Sequence, residues 1–210
     1  MANIKRNEFK RKQEKRRKKR RRRKSVLLIL FPILALLFFI GKNTNQSPKI
    51  SNGVPLLLQT NSQWSEIPYG NSTIGISGCA PTCLSMVASA KGNTEATPDK
   101  IAKFSEDNGY YVEGTGTKWT LMSNGAKEFG LKVKELALDE NLIARELQNN
   151  HPIICSVGPG DFTIEGHFIV LTAYENGEIH VNDPNSAENS EKVWSYDRLA
   201  PQINAMWVYK

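Results

Sequence analysis

The sequence has few of the residues from which metal centres and disulfide frameworks are built. Its 210 residues include three cysteines and three histidines. None of them shows the CxxC or HxxxH spacing that is typical of zinc sites. We therefore predict neither a metal ion nor a cofactor. The sequence also contains no internal repeat.

The first 24 residues have little acidic or aromatic character. They hold 15 of the 28 Lys and Arg residues, two of the 21 Asp and Glu residues, and one aromatic residue, Phe9. A basic segment of this kind can contact nucleic-acid phosphates or anionic lipid headgroups. Because aromatic side chains for base stacking are scarce and an apolar run follows, we favour lipid headgroups and expect no nucleic-acid partner. The rest of the chain has 13 basic and 19 acidic residues, so its net charge is −6.

An apolar run of 15 residues, 26–40, follows the basic segment. A helix of this length spans roughly 22 Å, which is less than the ~30 Å hydrocarbon core, but flanking basic side chains can snorkel. We predict a cytoplasmic basic tail (1–24), a single-pass transmembrane signal-anchor in the cell membrane (25–41) and an extracellular linker (42–53). The alternative is a cleaved signal peptide and a secreted domain, although no small-x-small cleavage pattern follows the run.

Residues 54–210 are long enough to form one folded domain. Helical periodicity and capping signals predict helices at 80–90, 97–108, 120–129 and 139–149. Later segments rich in β-branched residues predict strands at 153–157, 166–174, 178–183 and 205–209. Helices first and strands afterwards indicate an α+β domain in which an N-terminal helical half packs on a C-terminal antiparallel sheet.

The stretch around Cys79 contains the candidate nucleophile. Small, turn-forming residues precede Cys79, and a helical apolar pattern follows Pro81, a residue favoured in the first turn of a helix. Cys79 should therefore lie at a helix N-terminus, where free backbone N–H groups and the helix dipole favour a thiolate. We expect Cys83 and Cys155 to be small core residues. A disulfide between them is the alternative in an oxidising exterior.

A cysteine nucleophile needs an imidazole to accept its proton and a third group to orient that imidazole. The sequence offers three histidines as candidates. His151 precedes a strand, and we identify no acidic partner for it nearby in the sequence. His167 begins an apolar strand, and His180 lies in the strand that returns after it.

The register of the predicted hairpin favours His167. A three-residue loop at 175–177, with Gly177 in a β-bulge, would pair Ile169 with Asp183. Asp183 and His167 would then point to the same face as diagonal neighbours, and His180 would face the other side. A two-residue turn would reverse this parity. The bulge is therefore part of the prediction that Asp183 orients His167.

Three motifs together resemble the papain-like C39 peptidase-like family of cysteine peptidases, in its stand-alone branch. They are Gly78–Val87, Gly166–Val170 and Val181–Pro184, and the likeness covers residues 54–210. The resemblance implies Cys79 as nucleophile, His167 as base, Asp183 as orienting group and Gln59 as oxyanion donor, with Gln63 as an alternative donor. The chain departs from the family pattern at two positions: Ala80 replaces a usual Gly, and Cys83 a common Ser.

This reasoning predicts a membrane-anchored, extracellular cysteine peptidase. Its substrate would be a peptide or protein, cleaved through a thioester intermediate. Trp64 and Tyr69, in the loop before Cys79, are candidates for an exposed substrate groove. Two other functions stay open: a catalytically silent, tethered binding module on the same scaffold, and an amidase or endopeptidase acting on cell-wall peptides.

Overall fold

The computed structural model describes residues 50–210. The predicted basic tail, the signal-anchor at 25–41 and most of the predicted linker lie outside these residues. Within 50–210, no helix has both the length and the apolar composition that a membrane crossing requires.

Helices alternate with short strands in the first half of the described chain, and longer strands dominate the second half. The α-helices are α1 (Ile74–Ser77), α2 (Cys79–Ala90), α3 (Pro98–Asp107), α4 (Thr120–Ser123), α5 (Glu140–Gln148), α6 (Ala187–Glu191) and α7 (Tyr196–Leu199), with 3₁₀ turns at Gly125–Phe129 and Ala200–Gln202. The strands are β1 (Ile50–Ser51), β2 (Val54–Pro55), β3 (Pro68–Tyr69), β4 (Ser72–Thr73), β5 (Tyr111–Val112), β6 (Gly116–Thr117), β7 (Val133–Glu135), β8 (Ile153–Val157), β9 (His167–Glu175), β10 (Glu178–Asn182), β11 (Val193–Ser195) and β12 (Ile203–Tyr209).

Six strands form the main sheet, in the order β11-β10-β9-β8-β12-β7, and every neighbouring pair is antiparallel. The remaining strands pair as three small hairpins, β1-β2, β3-β4 and β5-β6. Since α1–α4 precede the strands of this antiparallel sheet along the chain and helices pack against it, the predicted α+β class is confirmed.

The main sheet is covered on both faces. Helix α2 is apolar on nearly every side, and residues 80–88 are all buried, as expected of a helix enclosed by the core. It packs with alternate residues of β9, such as Phe168 and Val170, on one face. On the other face, Ile143 and Leu147 of α5 pack with a second set of sheet residues, including Ile169 of β9 and Cys155 of β8. The helices therefore do not all lie on one side of the sheet.

Helix α5 begins as the sequence predicts. The Asp139 side chain accepts a 2.9 Å hydrogen bond from the backbone N–H of Leu142, which satisfies one of the free donors in the first turn. Proline at the first position of α3, Pro98, is likewise confirmed at a helix start.

Residues 50–53, which the sequence analysis assigns to the linker, belong to the first hairpin. Ser51 Oγ lies 2.8 Å from Thr172 Oγ1, and Asn52 Nδ2 donates to the Thr172 carbonyl at 3.1 Å. Asn52 and Gly53 have positive φ angles of 49° and 79°, which closes the turn between β1 and β2. Residues 50–53 therefore make contacts with the main sheet.

The loop between β9 and β10 differs from the prediction. Glu175 pairs directly with Glu178, so the turn contains two residues, Asn176 and Gly177, both with positive φ. The predicted three-residue loop with a bulge at Gly177 is wrong.

A β-bulge is present inside the strands instead. His180 pairs with Ala173, but Val181 pairs with Leu171, so Thr172 is the additional residue on β9. Beyond this bulge, Asn182 lies opposite Val170, which is the register that the predicted loop would have produced. The bulge at Thr172, and not the turn, therefore sets the register that places His167 and Asp183 on the same face of the sheet.

Candidate active site

Cys79 is the first residue of α2, as its position before Pro81 predicts. Cys79 is half-buried, whereas Cys83 and Cys155 are buried. The first N–H groups of a helix have no partner within the helix, and they lie at the positive end of the helix dipole. The structure therefore places the candidate nucleophile at the start of a helix.

Gly78 allows the chain to approach the preceding turn closely just before Cys79. A Cβ atom at this position would lie 2.5 Å from both the Ile74 carbonyl oxygen and Ile74 Cγ2. Real Cβ atoms do not come this near to backbone atoms, so a larger residue at 78 would displace the start of α2. The glycine thus fixes where Cys79 is placed.

His167 and Asp183 form a buried pair beside Cys79. His167 Nε2 lies 2.8 Å from Asp183 Oδ1, and the exposed fractions of the two residues are 7% and 1%. Because Asp183 is bound at Nε2, the second ring nitrogen, Nδ1, faces Cys79. The Cys79 side chain lies close enough to His167 for a hydrogen bond.

The protonation of His167 reflects these two neighbours. Burial by itself lowers the pKa of His167, because it penalises the charged ring. The hydrogen bonds to Asp183 and Cys79 oppose this effect and raise the pKa from 6.5 to about 9. The surroundings therefore favour an imidazolium between the sulfur and the carboxylate.

The Asp183 carboxylate is itself fixed by several donors. Oδ1 accepts a second hydrogen bond from the backbone N–H of Asn185, and Oδ2 accepts one from Asn189 Nδ2, each at 2.9 Å. The Asp183 backbone N–H donates to Ser190 Oγ, also at 2.9 Å. The sequence analysis did not identify Asn189. The sequence carries only a weak signal for it: Ser186 is a good N-cap residue and accepts the backbone N–H of Asn189, which marks the start of α6 but not the contact with Asp183.

Gln59 connects the two catalytic segments. Its backbone N–H donates to the Pro184 carbonyl at 2.8 Å, next to Asp183. Its Nε2 donates to the carbonyls of Gly75 and Ile76, at 3.0 and 3.4 Å, just before Cys79. Its Oε1 is buried and has no hydrogen-bond partner among residues 50–210. The oxyanion role predicted for Gln59 stays a prediction, because its amide is bonded to these carbonyls here. The alternative residue, Gln63, is exposed.

The other two histidines lie outside this site. His180 Nε2 lies 3.7 Å from Glu175 Oε2, close to the turn between β9 and β10. His151 Nδ1 lies 2.8 Å from Glu146 Oε2, so the inference that it has no acidic partner nearby is wrong. Glu146 ends up close because the backbone N–H of His151 bonds to the Glu146 carbonyl as α5 ends.

The two remaining cysteines are buried free thiols. Cys83 belongs to the core between α2 and the sheet, and Cys155 to the core on the opposite face, which explains why they form no disulfide. Burial raises the pKa of both thiols, and for Cys83 the nearby Cys79 adds to this effect. The expectation that they are core residues is confirmed.

The loop before Cys79 does not expose its aromatic residues. Trp64 and Tyr69 are buried in a small core with Ile74 and Ala102. The Tyr69 hydroxyl lies 2.8 Å from Ser105 Oγ and 2.7 Å from Thr117 Oγ1, and burial raises its pKa to about 12. The prediction that Trp64 and Tyr69 line an exposed groove is wrong, because both side chains are buried: Tyr69 bonds to α3 and β6, and Trp64 Nε1 donates to the Leu58 carbonyl at 2.8 Å.

The arrangement provides the parts of nucleophilic catalysis. A sulfur at a helix N-terminus can transfer its proton to a ring nitrogen that is held by a buried carboxylate. It does so beside a surface that solvent reaches, because Cys79 is half-buried.

Comparisons with known proteins bear on the family and the fold of the chain. The model of the Peptidase_C39 like family matches residues 51–209. The fold is similar to the crystal structure of the peptidase domain of Streptococcus ComA, a bi-functional ABC transporter involved in a quorum-sensing pathway. Identity is 20% over 63% of this chain and 90% of that chain, with a TM-score of 0.50.

Two further solved structures are similar to the chain. A putative C39-like peptidase from Bacillus anthracis is 16% identical over 79% of this chain and 98% of that one, with a TM-score of 0.46. A double glycine motif protease from an AMS/PCAT transporter, solved in complex with the leader peptide, is 15% identical over 79% and 93%, with a TM-score of 0.48. A comparison with curated protein sequences gives no match.

Proposed function

Because this chain belongs to the Peptidase_C39 like family, we propose that it is a cysteine peptidase that hydrolyses peptide bonds through Cys79, His167 and Asp183. One observation carries the proposal. The half-buried Cys79 lies against His167, whose other nitrogen is 2.8 Å from a buried carboxylate. A nucleophile, a base and an orienting group are thus present in one connected set.

The mechanism follows from the two nitrogens of His167. Nε2–H donates to Asp183, which leaves Nδ1 to accept the proton of the Cys79 thiol. The thiolate attacks the carbonyl carbon of the scissile peptide bond. The C–N bond then breaks, and the leaving amine takes the proton back from the imidazolium. Water, deprotonated by His167, attacks the thioester, releases the carboxylate product and restores the Cys79 thiol.

Two donors are proposed for the oxyanion that forms during each attack. The backbone N–H of Cys79 lies at the start of α2, and the Gln59 amide is bonded to carbonyls of the segment just before Cys79. Gln59 would have to exchange a carbonyl partner for the oxyanion. Removing such a donor from a preorganised site lowers kcat by about 10²–10³-fold.

Exposed apolar side chains support a peptide as substrate. Ile76, three residues before Cys79, is 76% exposed, and Ile164, three residues before His167, is 90% exposed. The loop that contains Ile164 is held at its base, where Arg198 makes two hydrogen bonds to Asp161, at 2.7 and 2.6 Å. These side chains can contact apolar residues on a peptide near the scissile bond.

The proposed location rests on the sequence of the N-terminal region. The basic segment 1–24 and the apolar run 26–40 support a single-pass anchor with the peptidase domain outside the cell and the basic segment on anionic lipid headgroups. In this arrangement the substrate would be an extracellular peptide or protein.

A digest of a complex peptide library tests the proposed activity. The full chain should create new peptide termini, Cys79→Ala should create none, and Cys83→Ala, which removes a buried sulfur, should retain cleavage. Cleavage that persists in Cys79→Ala would contradict the assignment. Purified cell wall serves as a second substrate: release of cell-wall peptides with no cleavage of the library would indicate an amidase or endopeptidase. Binding without cleavage of either would indicate a silent module.

A further inference from the structure

The Asp183 carboxylate is held by groups on both of its oxygens. Oδ1 contacts His167 Nε2 at 2.8 Å and accepts a hydrogen bond from the backbone N–H of Asn185 at 2.9 Å. Oδ2 accepts from Asn189 Nδ2 at 2.9 Å. A carboxylate can rotate about its Cβ–Cγ bond, so a donor on the second oxygen fixes the plane in which the first oxygen meets the imidazole.

Asn189 is well placed to provide this donor. It lies in α6, whose N-cap, Ser186, accepts the Asn189 backbone N–H at 3.0 Å. Its carbonyl accepts a hydrogen bond from Trp194 Nε1 at 3.2 Å, and Trp194 is buried. The backbone of Asn189 is therefore fixed at both ends, and its amide is directed at the carboxylate.

We propose that Asn189 is a positioning residue for the reaction: its side-chain amide holds Asp183 in the orientation that keeps the proton of neutral His167 on Nε2. The proposal rests on the proposed function, because it assigns Asn189 to the same catalytic set. Asn189 itself does not touch the reacting atoms. It acts on Cys79 through Asp183 and then His167.

The proposal separates hydrogen-bond donation from simple packing. Asn189→Asp has nearly the same shape as asparagine but replaces the donor with a second carboxyl group facing Asp183 Oδ2. If Asn189 only fills space, this variant should behave better than Asn189→Ala. If the amide must donate, Asn189→Asp should be the worse of the two, because like charges or a shared proton disturb the Asp183 carboxylate.

Steady-state kinetics of the full chain provide the first test. We expect Asn189→Ala to lower kcat by about tenfold, the effect of losing one hydrogen bond to a charged group, with KM changed less than about twofold. Asn189→Asp should lower kcat further. The matched control is Asn108→Ala, which removes a 2.9 Å side-chain hydrogen bond to the Phe104 carbonyl at the end of α3 and should leave kcat unchanged.

A spectroscopic measurement makes the test independent of peptidase activity. In the Cys79→Ala background, at a pH above the raised pKa of His167, ¹⁵N NMR of the neutral His167 ring should show two widely separated nitrogen shifts, as expected for a fixed Nε2–H tautomer. Adding Asn189→Asp should bring these shifts closer together through tautomer exchange. Unchanged ring shifts, or kcat of Asn189→Asp equal to or above that of Asn189→Ala, would overturn the proposal. If Asn189→Asp brings the ring shifts together but the wild-type chain cleaves no peptide, the positioning role of Asn189 would be supported and the peptidase function contradicted.

Discussion

Two histidine–carboxylate pairs of this protein have the same nitrogen–oxygen distance but different surroundings. His167 and Asp183 are 2.8 Å apart and buried, and a cysteine lies beside the ring. His151 and Glu146 are also 2.8 Å apart, but His151 is partly exposed. Glu146 also contacts Arg145 at 3.2 Å and Lys210 at 3.5 Å.

The pairs lie at opposite ends of strand β8. Val157, its last residue, pairs with His167, whereas His151 lies just before its first residue, Ile153. At about 3.3 Å per residue, the length of β8 separates them. The comparison shows that a short histidine–carboxylate contact does not by itself indicate catalysis. A sulfur at a helix N-terminus lies beside only one of these two pairs, and the proposed catalytic role of that pair rests on it.

Removing each histidine tests this difference most strongly. His167→Ala should lower kcat/KM by about 10³-fold or more, since it removes the proposed general base. His151→Ala should change kcat/KM by less than about twofold, as surface substitutions remote from a site do. Steady-state kinetics on one peptide substrate measures both. Equal losses in the two variants would show that the comparison is wrong.

A substitution at Gly78 should lower kcat without changing a residue of either histidine–carboxylate pair. Gly78→Ala places a Cβ 2.5 Å from the Ile74 carbonyl oxygen, so the start of α2 must shift and Cys79 moves away from His167. A displacement of about 1 Å in a catalytic group lowers kcat by up to about 10²-fold. Gly92→Ala, at the far end of the same helix, has open space around it but a φ of +93°, and should affect stability more than kcat. A Gly78→Ala enzyme with full kcat would contradict this role.

The two pairs should also respond to pH in opposite directions. The pKa of His167 is raised from 6.5 to about 9, so its contribution to folding is fully present below pH 6.5 and is lost as the pH rises through 9. This contribution is at most about 3 kcal/mol. The pKa of Glu146 is lowered, chiefly by its hydrogen bond to His151, so its contribution is present above pH 4.5 and is lost as the pH falls through its folded-state pKa.

Urea unfolding at a series of pH values measures both effects. His167→Gln should flatten the alkaline loss of unfolding free energy and leave the acid limb intact. Glu146→Gln should reduce the acid loss, leave the alkaline limb intact and change kcat little. An alkaline limb that is the same in wild type and His167→Gln would show that His167 is not the group responsible.

Much of the catalytic set could be predicted from the sequence because its signals are local. Pro81 and the apolar pattern after it place Cys79 at a helix start. The parity of the β9–β10 hairpin was right at Asp183, although the bulge lies at Thr172 and not at Gly177. A one-residue bulge shifts the register of every later pair by the same amount wherever it lies in the hairpin. The face on which Asp183 lies therefore does not reveal the position of the bulge.

The missed features depend on contacts between elements. Helix α6 has five residues, too few for a periodic pattern, so the Asn189 contact with Asp183 has little signal in the sequence. The burial of Trp64 and Tyr69 depends on packing with Ala102 of α3. Glu146 meets His151 only because the chain folds back as α5 ends.

The most direct test of the central claim is to find which sulfur an acylating, thiol-directed probe modifies in the folded full chain. Peptide mapping by mass spectrometry should find the probe on Cys79 alone among the three cysteines. Cys83 and Cys155 are buried, and burial raises the pKa of both thiols. Labelling should fall sharply in His167→Ala and persist in His151→Ala. Modification of Cys83 or Cys155 in native protein, or labelling of Cys79 that does not depend on His167, would contradict the account.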